Sequence, residues 1–145
     1  MTTMTEQQRE EFLAGQHIGV VSVGRPDGLP PTTVPTFYAY EPGGALTMFT
    51  NTQGRTTARA EAIKSTGVVT FLVQEESWPA KYVAVEATLD SATRPTIEQM
   101  LTITRRYMPE EAAQQFAHSE VDNPGSTITL FTFTPSRWFS ADNSA

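Results

Sequence analysis

Short β-rich runs separated by proline- and glycine-bearing turns constrain this chain more than any other feature. Residues 17–23, HIGVVSV, are rich in β-branched side chains; RPDGLPP supplies the Pro, Asp and Gly of a turn; residues 32–40, TTVPTFYAY, then resume as an extended segment. That pattern predicts a hairpin. Pro35 has no N–H to give to a ladder, which puts its strand on an edge or at a bulge. EPGG at 41–44 turns the chain into ALTMFT. Further on come GVVTFLV, apolar enough for burial on both faces, the loop QEESWPA, and KYVAVEATLD, in which Val83, Val85, Ala87 and Leu89 share a face. STITLFTFTP at 126–135 alternates as a last strand, and the tail RWFSADNSA adds Trp138 and Phe139. Six strands joined mostly by hairpin-type connections predict a mainly β, α+β fold: a six-stranded antiparallel barrel or sandwich with accessory helices. Regular βαβ units are missing, as are GxGxxG, a P-loop and internal repeats, which argues against a Rossmann fold.

Thr5 with Gln8 three positions on is a capping-box pattern, and Phe12 and Leu13 form a small apolar face before Gly15, so a short N-terminal helix is expected. Ile97, Met100, Leu101, Thr104, Tyr107 and Met108 recur at helical spacing within 94–108. Pro109, Glu110 and Glu111 read as a fresh first turn, with Pro at N1 and acids at the positive end of the dipole, in a helix that stops near His118. A length of 145 residues and 39% hydrophobic content suit one domain spanning 1–145. The net charge of −6 opposes binding to nucleic acid or to an anionic membrane surface, which needs clustered basic residues in excess. With no cysteine, thiol catalysis, disulfides and Cys-based metal centres are excluded, and His17 and His118 lie too far apart to suggest a metal motif. Residues 1–11 are too polar for a signal peptide, and no apolar run approaches the ~20 residues of a membrane span. A soluble cytoplasmic protein is expected.

Function points to residues 46–64, LTMFTNTQGRTTARAEAIK. A strand ends near Thr50, Asn51 to Gly54 break it, and helical composition follows from Arg55 to Lys64. A helix start offers free N–H groups and the positive end of a dipole to an anion. Gly54 lets the backbone approach closely, Thr56 and Thr57 bring hydroxyls, and Arg55 and Arg59 fall i,i+4 on one helical face. Two readings stay open on these residues alone: a phosphate site, or a capped surface helix whose arginines pair with nearby carboxylates.

The order of elements resembles the flavin-binding split β-barrel family named after pyridoxamine 5'-phosphate oxidase, and more closely its deazaflavin-dependent branch. The resemblance runs over nearly the whole chain: the N-terminal helix, IGVVSVGRPDGLPPTTVPTFY, LTMFTNTQGRTTAR, GVVTFLV and WPAKYVAVEATL. It implies a homodimer that binds FMN or the deazaflavin coenzyme F-420 at its interface and transfers hydride to a small organic substrate. On that resemblance Arg55 and Arg59 hold the cofactor phosphate with Thr56 and Thr57. Thr50, Asn51 and Thr52 line the ribityl chain, backbone and side chains around Val34, Pro35 and Thr36 approach the ring system, and Trp78 and Lys81 match a region that often completes the site, sometimes from the partner subunit. Relatives commonly carry Lys where this chain has Thr57, leaving that charge to be supplied by Arg59 or Lys64. No catalytic side chain is implied, because the reactive atom belongs to the cofactor. Tyr38, Tyr40 and Tyr82 are expected to pack on strands, Glu86 to face solvent, and the histidines to sit at element ends. The alternatives from other classes are a cofactor carrier or sequestering protein without turnover and, on a related barrel, heme binding.

Overall fold

The computed structural model describes residues 1–50 and 57–144. The helices are α1 (Glu6–Ala14), α2 (Ala58–Thr66), α3 (Ile97–Thr104) and α4 (Glu110–Val121), with one 3-10 turn at Pro26–Gly28. The strands are β1 (Gly19–Val23), β2 (Thr32–Thr36), β3 (Tyr38–Tyr40), β4 (Leu46–Thr50), β5 (Val68–Glu75), β6 (Lys81–Thr93) and β7 (Thr129–Asp142). All seven join one antiparallel sheet in the order β2-β1-β5-β6-β7-β4-β3.

Seven strands replace the six expected because TTVPTFYAY is two strands. Thr36 pairs with Gly19 of β1, whereas Tyr38 pairs with Met48 of β4. Only Phe37 separates them, yet β2 and β3 are the opposite edges of the sheet, so the sheet must curl until those edges meet. Pro35 accordingly sits on an edge strand, where its missing N–H costs no ladder bond. The fold is a split β-barrel.

Alternation then sorts side chains between inside and outside. Val21, Tyr38, Leu46, Met48, Phe71, Val83, Val85, Phe131 and Phe133 fill the barrel, each essentially without exposed surface, and α2 adds Ala60 and Ile63 to them. Gly19 is small because Phe71 lies against it: a Cβ there would stand 2.3 Å from the ring's Cζ. A second core lies outside the barrel. Met100, Leu101 and Ile103 of α3 and Ala113 and Ala117 of α4 cover Ala39, Phe49 and Leu130, the outward residues of β3, β4 and β7. Arg94 seats this helical hairpin by donating to the carbonyls of Glu120, Val121, Asn123 and Ser126 at 2.7–3.2 Å, satisfying acceptors that the end of α4 leaves open.

Several boundaries differ from the sequence expectation. The capping box at Thr5 and Gln8 is present, and a second one joins Thr96 to Gln99, which starts α3 at Ile97 rather than 94. Pro109 is the N-cap of α4 rather than its first residue, and the helix runs three residues past His118. β6 reaches Thr93, and β7 continues through the tail to Asp142 instead of stopping at Pro135. The ladder tolerates Pro135 because the register slips there: Glu86 faces Arg137 while Ala87 faces Pro135, leaving Ser136 as a bulge whose Oγ donates to the Glu86 carbonyl at 3.0 Å. Among the described residues no helix is long and apolar enough to cross a membrane.

Candidate functional site

Where the two edges of the sheet meet, a cleft of about 320 Å3 opens on the outside of the barrel, lined by Ile18, Pro35, Thr36, Phe37, Phe49 and Arg59. Each residue arrives there by a simple rule. Ile18 precedes β1 and remains half exposed at 51%. Pro35 and Phe49 are the outward members of strands whose inward members, Val34 and Met48, pack in the barrel. Phe37 occupies the switch between β2 and β3. Arg59 comes from the first turn of α2.

The helix begins at Ala58, three residues later than expected from Arg55, and Thr57 is its N-cap, accepting from the Ala60 N–H at 3.0 Å. The predicted i,i+4 pairing of Arg55 with Arg59 falls on a residue outside the described ones. Asn51, Thr52, Arg55 and Thr56 lie outside the described residues. Arg59 is half buried, and burial pushes its guanidinium below the ordinary arginine range.

The other arginines among the described residues are engaged. Arg105 pairs with Glu110, and Arg106 donates to the carbonyls of Ala14 and Gly15. Arg25 donates to the Pro30 carbonyl, Arg94 to four carbonyls, and Arg9 and Arg137 lie over the rings of Trp138 and Phe139. Arg59 alone among them has neither a hydrogen bond, nor an acid, nor a ring partner. A partly desolvated cation on a concave surface, with no partner among the described residues, favours an anionic ligand.

Of the remaining predicted site residues, Thr36 and Pro35 line the cleft, whereas Val34 points into the barrel. Thr50 is fully buried at the end of β4, and its Oγ1 has no partner among the described residues, an orphaned polar atom one residue from Phe49. Trp78 stands 80% exposed in the β5–β6 loop, beside a cis bond to Pro79. Lys81 opens β6 and borders a different cleft, with Met4, Gln8, Glu11, Phe12 and Asp142. Within one chain neither joins the first cleft.

Ile18, Phe37 and Phe49 were not singled out in the sequence, and the only available signal was Phe37 standing directly after the interrupted strand. Neither histidine borders the cleft: His17 stacks on Phe12 and contacts its carbonyl through Nε2, and exposed His118 pairs with Asp122. Tyr38 donates to the Leu13 carbonyl at 2.6 Å and Tyr40 to Glu10 at 2.9 Å; burial, then the Glu10 contact, pushes Tyr40 up to about 12.

No family model matches the chain, and neither does any curated protein. Solved structures do. An F-420 reductase superposes over 89% of this chain and 94% of its own, with TM-score 0.61 and 18% identity. A FAD-binding protein of Mesorhizobium loti covers 96% and 93%, with TM-score 0.65 and 17% identity. A Corynebacterium glutamicum protein named for pyridoxamine 5'-phosphate oxidase covers 96% and 90%, with TM-score 0.56 and 19% identity. The fold is that of the pyridoxamine 5'-phosphate oxidase-like split barrels. In this chain the face where the edges meet at Phe37 carries both the cleft and Arg59, whose guanidinium has no partner among the described residues.

Proposed function

We propose that this split barrel binds a flavin-type cofactor, FMN or the deazaflavin coenzyme F-420, in the cleft beside Phe37, and works as an oxidoreductase on a small organic substrate. The observation that carries this is Arg59, the arginine without a partner among the described residues, set on the cleft in the first turn of a helix. The residues present fit such a group. Arg59 and the start of α2 suit a phosphate, with the Thr57 hydroxyl hydrogen free to donate while its oxygen caps the helix. Pro35, Phe37 and Phe49 offer apolar walls to a ring. Arg55, Thr56, Asn51 and Thr52 belong to the same proposed phosphate and ribityl contacts.

The cofactor, when bound, supplies the hydride chemistry; the chain orients the ring, holds the phosphate and keeps water from one side. A cleft of about 320 Å3 lies at the small end of ligand sites, roughly 300–1,000 Å3, which suits a site that a second copy completes. The outward sheet face offers the surface. Pro35, Val20, Leu72, Ala84 and Phe139 stand in one cross-strand row over five strands, and Phe139 is 42% exposed. Pro35 belongs to both the row and the cleft, so a homodimer formed on this face would border the cofactor and bring in exposed residues such as Trp78 of the second copy. A carrier without turnover is the second reading, favoured by a cleft whose described lining holds no carboxylate, histidine or tyrosine to donate a proton.

Parallel fluorescence titrations of the purified chain with FMN, FAD and F-420 test the reading. Saturable binding of at least one at micromolar concentration or tighter is expected; no binding of any of them overturns it. Turnover of the reduced complex with an enone or quinone panel separates enzyme from carrier, and light scattering tests for the dimer.

A further inference from the structure

Behind the cleft stands the α3–α4 hairpin, which sequence periodicity alone presents as a packing element. Its aromatic residues coincide with the cleft walls. Tyr107, in the linker between the two helices, stacks on Phe37 with ring centroids 4.3 Å apart and planes 16° off parallel. Its hydroxyl donates to the His17 carbonyl at 2.7 Å and accepts the Tyr38 N–H at 3.2 Å. Those two backbone groups flank Ile18 and Phe37, the residues on the two sides of the cleft. Phe116 of α4 lies against Phe49, the remaining aromatic wall, at 5.6 Å. Arg106 locks the linker from its far side, donating to Ala14 and Gly15 and lying over the Tyr38 ring at 5.1 Å.

We infer that Tyr107 and Phe116 are positioning residues, through which the helical hairpin sets the spacing and tilt of Phe37, Phe49 and Ile18 and so determines which planar ring the cleft accepts. The inference rests on the cleft being the cofactor site proposed above. Tyr107 acts twice, by its ring on Phe37 and by its hydroxyl on the two chain segments; Phe116 acts once. An aromatic wall that is itself backed by a ring resists tilting when a ligand stacks on it, and a ligand that finds the wall already oriented binds without ordering it.

The test uses the full chain with Tyr107→Leu, Tyr107→Phe and Phe116→Leu, and Val83→Ala as a control that weakens the barrel interior away from the cleft. In the ligand-free protein, the ring signals of isotope-labelled phenylalanine should move at Phe37 for Tyr107→Leu and at Phe49 for Phe116→Leu, and stay in place for Val83→Ala. With FMN as probe, Tyr107→Leu should weaken binding about tenfold and alter the visible circular dichroism of the bound ring; Phe116→Leu and Tyr107→Phe should each cost about threefold. Val83→Ala should change the melting temperature but neither the affinity nor the spectrum. Unmoved Phe37 and Phe49 signals overturn the inference whether or not FMN binds. So does an affinity loss in Val83→Ala equal to that in Tyr107→Leu. Wild-type protein that binds none of FMN, FAD and F-420 overturns the cofactor reading instead, and the ring signals then still decide whether the hairpin positions the walls.

Discussion

Val34 and Pro35 are neighbours on one strand and Met48 and Phe49 on another, yet each pair is divided between two environments. Val34 and Met48 join a barrel interior where rings and aliphatic chains interlock and where Tyr38 finds carbonyl acceptors for its hydroxyl. Pro35 and Phe49 face an open cleft that contains a cation with no partner among the described residues. The difference teaches where this molecule spends its stability. Inside, a filled volume leaves nothing for a ligand to do. Outside, a half-buried charge and the exposed apolar surface of Ile18 and Pro35 are unfavourable until something covers them, and those are properties of a binding site rather than of a core.

That contrast is open to direct attack. If the interior carries stability and the cleft carries binding, Phe71→Ala should lower the free energy of unfolding by about 3–5 kcal/mol, because the ring is fully buried and its Gly19 neighbour cannot fill the void; denaturant titration checks this, and a loss below about 1 kcal/mol would show a loosely packed barrel. Arg59→Ala should do the opposite, weakening cofactor binding by about 1.5–3 kcal/mol, the size of a charge-assisted hydrogen bond, while unfolding stays within about 0.5 kcal/mol of wild type. Unchanged affinity would leave the cleft as surface relief.

Thr57 joins the two regions, since it caps a helix that packs in the barrel and whose first turn faces the cleft. Thr57→Ala should cost about 1 kcal/mol of stability by thermal or chemical unfolding, with a further loss of affinity if its hydroxyl also touches the phosphate. The smallest effect is expected far from both. Arg105, then Gln114, holds the exposed Glu110 carboxylate down at about 2, from an ordinary 4.5. A depressed carboxylate contributes stability above its unfolded value and loses it as pH falls through the folded one, so the small melting-temperature difference between wild type and Glu110→Gln should be present at pH 7 and close between pH 4.5 and 2.

Local chemistry made much of this legible from the chain. Thr5 with Gln8 announces α1, β-branched runs announce the strands, and Pro35 announces an edge, because each of these signals is enforced within a few residues. Arg59 was reachable too, as a guanidinium at a helix start. The break at Phe37 was not, since nothing in TTVPTFYAY says that its two halves pair with strands at opposite sheet edges; that follows only when the sheet curls. The same closure turned the Val34 side chain toward the barrel and, within one chain, set Lys81 beside Met4 and Asp142.

By itself, then, the sequence determined the element types, their antiparallel connection and the split-barrel resemblance, since hydrophobic period and turn chemistry act over short separations. Tertiary structure alone decided which residues face one another: that the edges meet at Phe37, that Tyr107 and Phe116 back the cleft from distant parts of the chain, and that Arg59 has no partner among the described residues. Such contacts depend on loop closure and packing between distant segments, which no local pattern encodes.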